Sequence, residues 1–232
     1  MIQVRPSNER GKMNIGWLDT NYTFSFARYY DPKHMGFRSL RVINQDKVKP
    51  GTGFNTHPHN DMEIITYIID GELEHRDNLG SRSVIRRGDI QRISAGTGVT
   101  HSETNPSNHE TVHLLQIWIL PDREGYTPSY DERTLADAER TGKLLLIASN
   151  DGRDGSMSIN QDADMYNALL RAGESVTHAL GDGRAAWVQV VRGNIALNGV
   201  ALGPGDGASV EDVAELEIRS ESDSELLLFD LA

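Results

Sequence analysis

Apolar residues along this chain gather in short runs instead of recurring at helical spacing. Leu40 to Ile43, Glu63 to Ile69, Val84-Ile85, Leu114 to Leu120, Leu144 to Ile147, Ala186 to Val191, Ile195 to Leu197 and Leu226 to Phe229 are rich in β-branched and aromatic side chains, which suit a pleated surface. Between them stand Asp70-Gly71, Asn78-Leu79-Gly80, Arg87-Gly88-Asp89, Arg192-Gly193-Asn194, Asn198-Gly199 and Gly203-Pro204-Gly205-Asp206, residue types that close hairpins. Regular short strands with such punctuation predict an all-β barrel or sandwich. One stretch reads as helix: Asp131 to Arg140, polar and acidic, after the loop from Pro121 to Pro128. It predicts a short linker helix and a division into residues 1–140 and 141–232. The turns Gly71-Glu72-Leu73 and Gly193-Asn194-Ile195, followed by Gly88-Asp89 and Gly205-Asp206, mark a faint internal repeat.

Composition narrows the chemistry. The 232 residues hold 23 Lys and Arg against 34 Asp and Glu, a formal net charge of −11 with no basic run, which argues against direct nucleic-acid binding. Without cysteine there are no disulfides and no thiolate ligands, so a metal site must use histidine and carboxylate. No stretch reads as a signal peptide or a membrane span. The expectation is a soluble cytoplasmic monomer without membrane association.

His57-Pro58-His59 and His101-Ser102-Glu103 stand within segments that otherwise read as strand. Side chains alternate faces along a strand, so His57 and His59 point the same way, and His101 and Glu103 repeat the geometry. Two such pairs facing across a small barrel would hold one ion with three neutral nitrogens and one anionic oxygen, leaving coordination positions open for chemistry. Ligation by His57, His59, His101 and Glu103 is therefore preferred to scattered surface histidines. Glu63 has three readings: ligand, acceptor orienting an imidazole, or solvated charge. Strict alternation puts it in the phase of His57 and His59, with Tyr67, and favours the acceptor.

Other residues take plainer roles. His75 and His113 read as packed or surface histidines, and His34, His109 and His178 as solvated ones. Phe24, Phe26, Tyr29 and Tyr30 would line an aromatic pocket or fill the core, and core is preferred. Glu211 to Glu217, with Asp223 and Glu225, reads as an exposed acidic face. The second half keeps the turns of the first but has no H-x-H or H-x-E. Of two barrels, only the first would be armed.

Gly51-x5-His57-x-His59-x3-Glu63 resembles the opening of the first cupin motif, and Gly98-x2-His101-x3-Asn105 the end of the second. One residue more than usual separates Glu63 from Gly71, and Ser94 stands where proline is common. Both departures are similar to those of the pirin family. So are Gly16-Trp17-Leu18, Phe24-Ser25-Phe26, Tyr29-Tyr30-Asp31-Pro32, Arg41-Val42-Ile43-Asn44 and Ser94-Ala95-Gly96-Thr97-Gly98, which resemble its signature blocks in order from about residue 8 to residue 121. The C-terminal half fits mainly by its turns. The resemblance implies a bicupin with metal in the N-terminal barrel on His57, His59, His101 and Glu103. Most metal-binding cupins instead take the carboxylate at the position of Glu63.

Bacterial pirin-like chains of this length resemble quercetin 2,3-dioxygenases, which open the heterocycle of a flavonol with O₂ and release carbon monoxide. The resemblance thus implies an aromatic small-molecule substrate, O₂ and one divalent transition metal. Iron(II) is the expected ion, and zinc, copper, nickel or manganese would fit the same ligands. A net site charge near +1 would favour an anionic chelating oxygen pair, with Glu103 or Glu63 as general base. Eukaryotic relatives imply a second class, a metal-binding regulator that acts through a protein partner and turns nothing over. A cupin-type isomerase is weaker, because no basic sugar-phosphate cluster accompanies the ligands. A pocket beside the metal would favour the enzyme, and a conspicuous surface patch the regulator.

Overall fold

The computed structural model describes residues 1–232. Its strands are β1 (Ile2–Arg5), β2 (Gly11–Asn14), β3 (Leu18–Tyr22), β4 (Leu40–Val48), β5 (Gly53–His59), β6 (Glu63–Asp70), β7 (Glu72–Asp77), β8 (Arg82–Arg86), β9 (Asp89–Ser94), β10 (Val99–Thr104), β11 (Val112–Ile119) and β12 (Ser129–Thr134), then β13 (Leu145–Ser149), β14 (Met157–Ser158), β15 (Ala163–Leu170), β16 (Ser175–Ala179), β17 (Ala185–Arg192), β18 (Ile195–Leu197), β19 (Val200–Leu202), β20 (Gly207–Val210), β21 (Glu215–Ser220) and β22 (Ser224–Leu231). The one α-helix is α1 (Asp137–Arg140). No helix is long and apolar enough to cross a membrane.

These strands build two cupin barrels, as expected. Gly11–Gly36 and Leu40–Leu135 form one compact unit, and Met1–Arg10, Phe37–Ser39 and Ala136–Ala232 the other. The first unit contains a seven-stranded sheet, β12-β9-β6-β11-β4-β3-β2, and a four-stranded sheet, β5-β10-β7-β8. The second repeats that plan with β1-β20-β17-β22-β15-β13-β14 and β16-β21-β18-β19. The faint repeat of turns thus corresponds to a repeat of architecture. The first ten residues lie with the C-terminal half: β1 pairs with β20, the edge position that β12 occupies beside β9 in the other unit.

Where residues 131–134 read as helix in the sequence, the chain continues as strand, with Asp131 opposite Arg92 and Thr134 opposite Asp89. An edge strand with half-exposed faces tolerates the same polar composition as a surface helix. Only Asp137–Arg140 is helical, its start held by the Glu139 carboxylate accepting from the Ala136 N–H at 3.2 Å. The continuous apolar run of β6 follows from its place between β9 and β11, where both faces are buried. In contrast, β21 alternates exposed and buried positions throughout.

A glycine fixes one contact that matters for the site. A Cβ on Gly53, at the start of β5, would stand 2.2 Å from the Glu103 carbonyl oxygen and 2.6 Å from the Thr104 Cα. Only glycine lets β5 approach β10 this closely, just where the pairing register shifts between His101 and Glu103.

Candidate metal centre

Antiparallel pairing sets His57 directly opposite His101, while His59 faces Val99. The three imidazoles converge, with ring centroids 4.5 Å apart for His57 and His101, 4.8 Å for His57 and His59, and 4.9 Å for His59 and His101. Potential donor nitrogens of all three lie within 4.8 Å of one another. The His57 Nδ1 sits 2.7 Å from the Asn55 carbonyl oxygen. An N–H donated there leaves Nε2 as the lone-pair donor. His101 is buried, and neither of its ring nitrogens has a hydrogen-bond partner. An orphaned buried imidazole is costly, and a metal ion is a ligand that would satisfy it. Burial, together with the neighbouring imidazoles, holds His101 down to about 3, and burial and His57 hold His59 down to about 4. Both therefore stay neutral near pH 7, the form that coordinates. The donor set fits a divalent transition ion.

Glu103 lies two residues beyond His101, buried at 2% exposure. Its Oε1 accepts from Thr66 Oγ1 at 3.2 Å and Gln91 Nε2 at 2.9 Å, and its Oε2 from Gln116 Nε2 at 2.9 Å. Those donors come from one register row across the large sheet, where Gln116 pairs with Thr66 and Thr66 with Gln91. Burial pushes the carboxyl up to about 7, offset by these hydrogen bonds and reinforced by the charge of Asp46. Glu103 joins His101 and His75 in a second group whose donor atoms also lie within 4.8 Å of one another.

Glu63 stands elsewhere. It begins β6, and Thr66 on the same strand points at Glu103, so by alternation Glu63 projects from the opposite face of the sheet. There it accepts from Ser94 Oγ at 2.7 Å and lies near enough to Arg92 to favour its charge. Phase counted from His57 through the intervening loop predicts the face of His57 and His59, but β5 and β6 lie in different sheets. This geometry takes Glu63 out of reach of the imidazole cluster.

His75 is fully buried and bonds Asp77 Oδ2 through Nε2 at 2.9 Å. Its ring stacks on Tyr130 at 4.6 Å and lies 5.4 Å from that of His101, so it packs behind the cluster. Its register partner is Glu103, which is visible only once strands are paired. His178, read as solvated, is instead largely buried and bonded to Asp230 Oδ2 at 2.7 Å.

The imidazoles open into a cavity of about 510 Å³, lined by His57, His59 and Glu103 together with Trp17, Phe26, Phe54 and Trp118. Trp118 meets His59 edge-on at 5.0 Å and Phe26 at 5.3 Å, while Trp17 meets Phe54 at 5.2 Å. Of the four aromatics weighed in the sequence, Phe26 reaches this cavity. Phe24 is buried, Tyr29 stacks on Tyr22, and Tyr30 is 72% exposed.

Paired histidines on a small barrel, opening into an aromatic cavity, define a cupin able to hold a metal in its N-terminal barrel. Comparison with known proteins gives the family. Residues 3–119 match the family described as Pirin, and residues 146–231 the quercetinase C-terminal cupin domain. The chain belongs to the pirin family. It is 49% identical over 231 residues to the quercetin 2,3-dioxygenase of Escherichia coli strain K12, covering 100% of this chain and 99% of that one. The crystal structure of YhhW from Escherichia coli superposes with a TM-score of 0.97 at 47% identity, covering 100% of this chain and 98% of that one. A structure of bacterial pirin YhhW in complex with nickel(II) superposes at 0.95 with 48% identity, covering 100% and 99%.

Proposed function

We propose that this protein is a metal-dependent dioxygenase that opens the heterocycle of quercetin or a related flavonol with O₂ and releases carbon monoxide. The observation that carries the reading is the placement of the His57, His59 and His101 cluster at the wall of an aromatic-lined cavity within the size range of small-molecule sites. A regulator that turned nothing over would need no such chamber beside its metal. The name of the 49% identical relative supports the same reading.

His57, His59 and His101 serve as nitrogen donors and Glu103 as the carboxylate, with iron(II) the expected ion. When bound, the ion supplies Lewis acidity and a route for electrons between the flavonol and O₂. The aromatic walls hold a flat ring system in one plane beside the imidazoles. Three of the lone pairs of Glu103 accept from Thr66, Gln91 and Gln116, which leaves one, on Oε2. As the carboxylate beside the imidazoles on the cavity wall, Glu103 is placed to take the proton of an enolic hydroxyl. The aromatic lining beside the imidazoles disfavours competing water.

Aerobic incubation of metal-characterised protein with quercetin, following flavonol absorbance and carbon monoxide, tests the proposal. Loss of absorbance with carbon monoxide release, both absent without O₂, is the expected result. Equal flavonol loss under anaerobic conditions would overturn it in favour of hydrolysis or simple chelation.

A further inference from the structure

The inward face of β4 breaks the rule that a barrel interior is apolar. Val42 and Val48 are buried there, and between them the same parity gives Asn44 and Asp46, each 4% exposed. Thr20, 1% exposed, lies opposite Asp46 in the register of β3 and β4. All three line the cavity that holds the imidazoles. Asn44 Oδ1, Asp46 Oδ1 and Thr20 Oγ1 are buried without a hydrogen-bond partner. The Thr20 hydroxyl is close enough to favour the Asp46 carboxylate, but it does not reach hydrogen-bonding geometry.

Buried polar groups are almost always satisfied within a fold, and three orphans on one patch of one cavity are a concentrated exception. Glu103, on the same cavity, shows how this barrel satisfies a carboxylate that it keeps for itself, with Thr66, Gln91 and Gln116 all donating to it. The Asp46 patch has no such ring of donors. Two of its orphans, an amide oxygen and a carboxylate oxygen, accept only, so their complement is a hydroxyl or N–H from outside the chain.

We propose that Thr20, Asn44 and Asp46 form a specificity wall that accepts hydrogen bonds from ring hydroxyls of the ligand remote from its metal-chelating oxygens. The cavity then selects flat aromatic ligands by two features, an anionic chelating pair at the imidazoles and hydroxyl donors at the wall. This rests on the flavonol reading above and adds which flavonols are taken.

The test uses metal-loaded protein kept anaerobic, so that nothing turns over, and measures binding of two flavonols by absorbance and fluorescence titration. Quercetin carries hydroxyls on both outer rings, whereas 3-hydroxyflavone keeps only the chelating hydroxyl and ketone. Wild type should prefer quercetin by roughly tenfold or more, the scale of a hydrogen bond to a charged acceptor. Asp46→Leu and, separately, Thr20→Val should lose most of that preference while binding 3-hydroxyflavone within about twofold of wild type. A thermal melt for each variant establishes folding, and Asp46→Leu should melt no lower than wild type, because it removes an unpaired buried group. If both variants keep the full preference, the wall is wrong and the flavonol reading survives. If neither flavonol binds wild type, both fall.

Discussion

The two barrels of this chain share a plan and differ in what fills them. Each sets a seven-stranded sheet against a sheet of four. In the C-terminal barrel the inward positions of β21, Leu216 and Ile218, are completely buried, and Val176 of β16 packs on the same cluster with Val188, Leu226 and Leu228. The corresponding strand pair of the N-terminal barrel, β10 and β5, carries His101, Glu103, His57 and His59 at its inward positions. The sole histidine of the C-terminal pair, His178, is already bonded to Asp230. One copy of the scaffold converts its interior into stability through a dry core, while the other gives up packing for donors and a cavity. What marks the N-terminal barrel is where its unsatisfied polar atoms lie: Asn44, Asp46 and Thr20 keep buried oxygens without hydrogen-bond partners on the wall of its cavity, beside His101.

The largest effect that would break this contrast concerns the imidazoles. His57→Ala/His59→Ala should lose the bound metal and all turnover, whereas His178→Ala should leave metal content unchanged. Metal analysis of the purified variants, at matched folding by circular dichroism, decides between them. Retained metal in the double variant would move the site elsewhere.

Glu103→Gln comes next. The amide keeps the shape and loses charge and basicity, so the rate should fall by roughly 10²–10⁴, the usual contribution of a positioned proton acceptor, with weakened metal retention. Glu63→Gln should leave metal and rate nearly intact, because Glu63 projects from the other face of the sheet and bonds Ser94. Initial rates and metal stoichiometry for both variants test the assignment. Metal stripped by Glu63→Gln alone would restore the ordinary cupin ligand set.

The complementary change belongs to the C-terminal barrel. Ile218→Ala removes a fully buried side chain and should cost about 2–5 kcal/mol of stability, while the folded fraction keeps its metal. Denaturant unfolding with metal analysis of the native protein checks both halves of that statement.

Much of this was legible from residue order. The strand runs, the hairpin turns and the shared faces of His57 with His59 and of His101 with Glu103 follow from side-chain alternation, because H-x-H and H-x-E declare a shared face without further information. What failed to be legible depended on pairing between distant strands. Glu63 seemed to share the phase of His57 and His59, but phase is not carried through a loop that passes between sheets. His75 became a neighbour of the cluster only through the register of β7 with β10, which places it beside Glu103. Asp131 to Thr134 had a composition that an edge strand and a surface helix share. The polar row Asn44, Gln116, Thr66 and Gln91 crosses four strands, and no local pattern announces it. One local signal does mark the wall: Asn44 and Asp46 interrupt the apolar parity of β4, and departures from binary patterning concentrate at functional sites.

The smallest effect sharpens the contrast most, since it reads the cost of an unfilled acceptor directly. Burial pushes the Asp46 carboxyl up to about 6 from its ordinary value of 3.8. The folded chain therefore binds more protons at this residue than the unfolded chain between about pH 4 and pH 6. Stability from Asp46 is present below the unfolded value and is lost as pH rises through the folded one, by up to about 3 kcal/mol for a difference of about two units. Asp46→Asn cannot titrate, so its stability relative to wild type should climb between pH 4 and pH 6 and level off above. Denaturant melts of metal-free protein across that range, compared as differences, cancel the titration of the imidazoles, and making the comparison in a Glu103→Gln background removes the one carboxyl whose titration the Asp46 charge shifts. A difference that stays flat with pH would mean that Asp46 already has its partner, and the N-terminal barrel would then be as self-satisfied along β4 as its C-terminal counterpart.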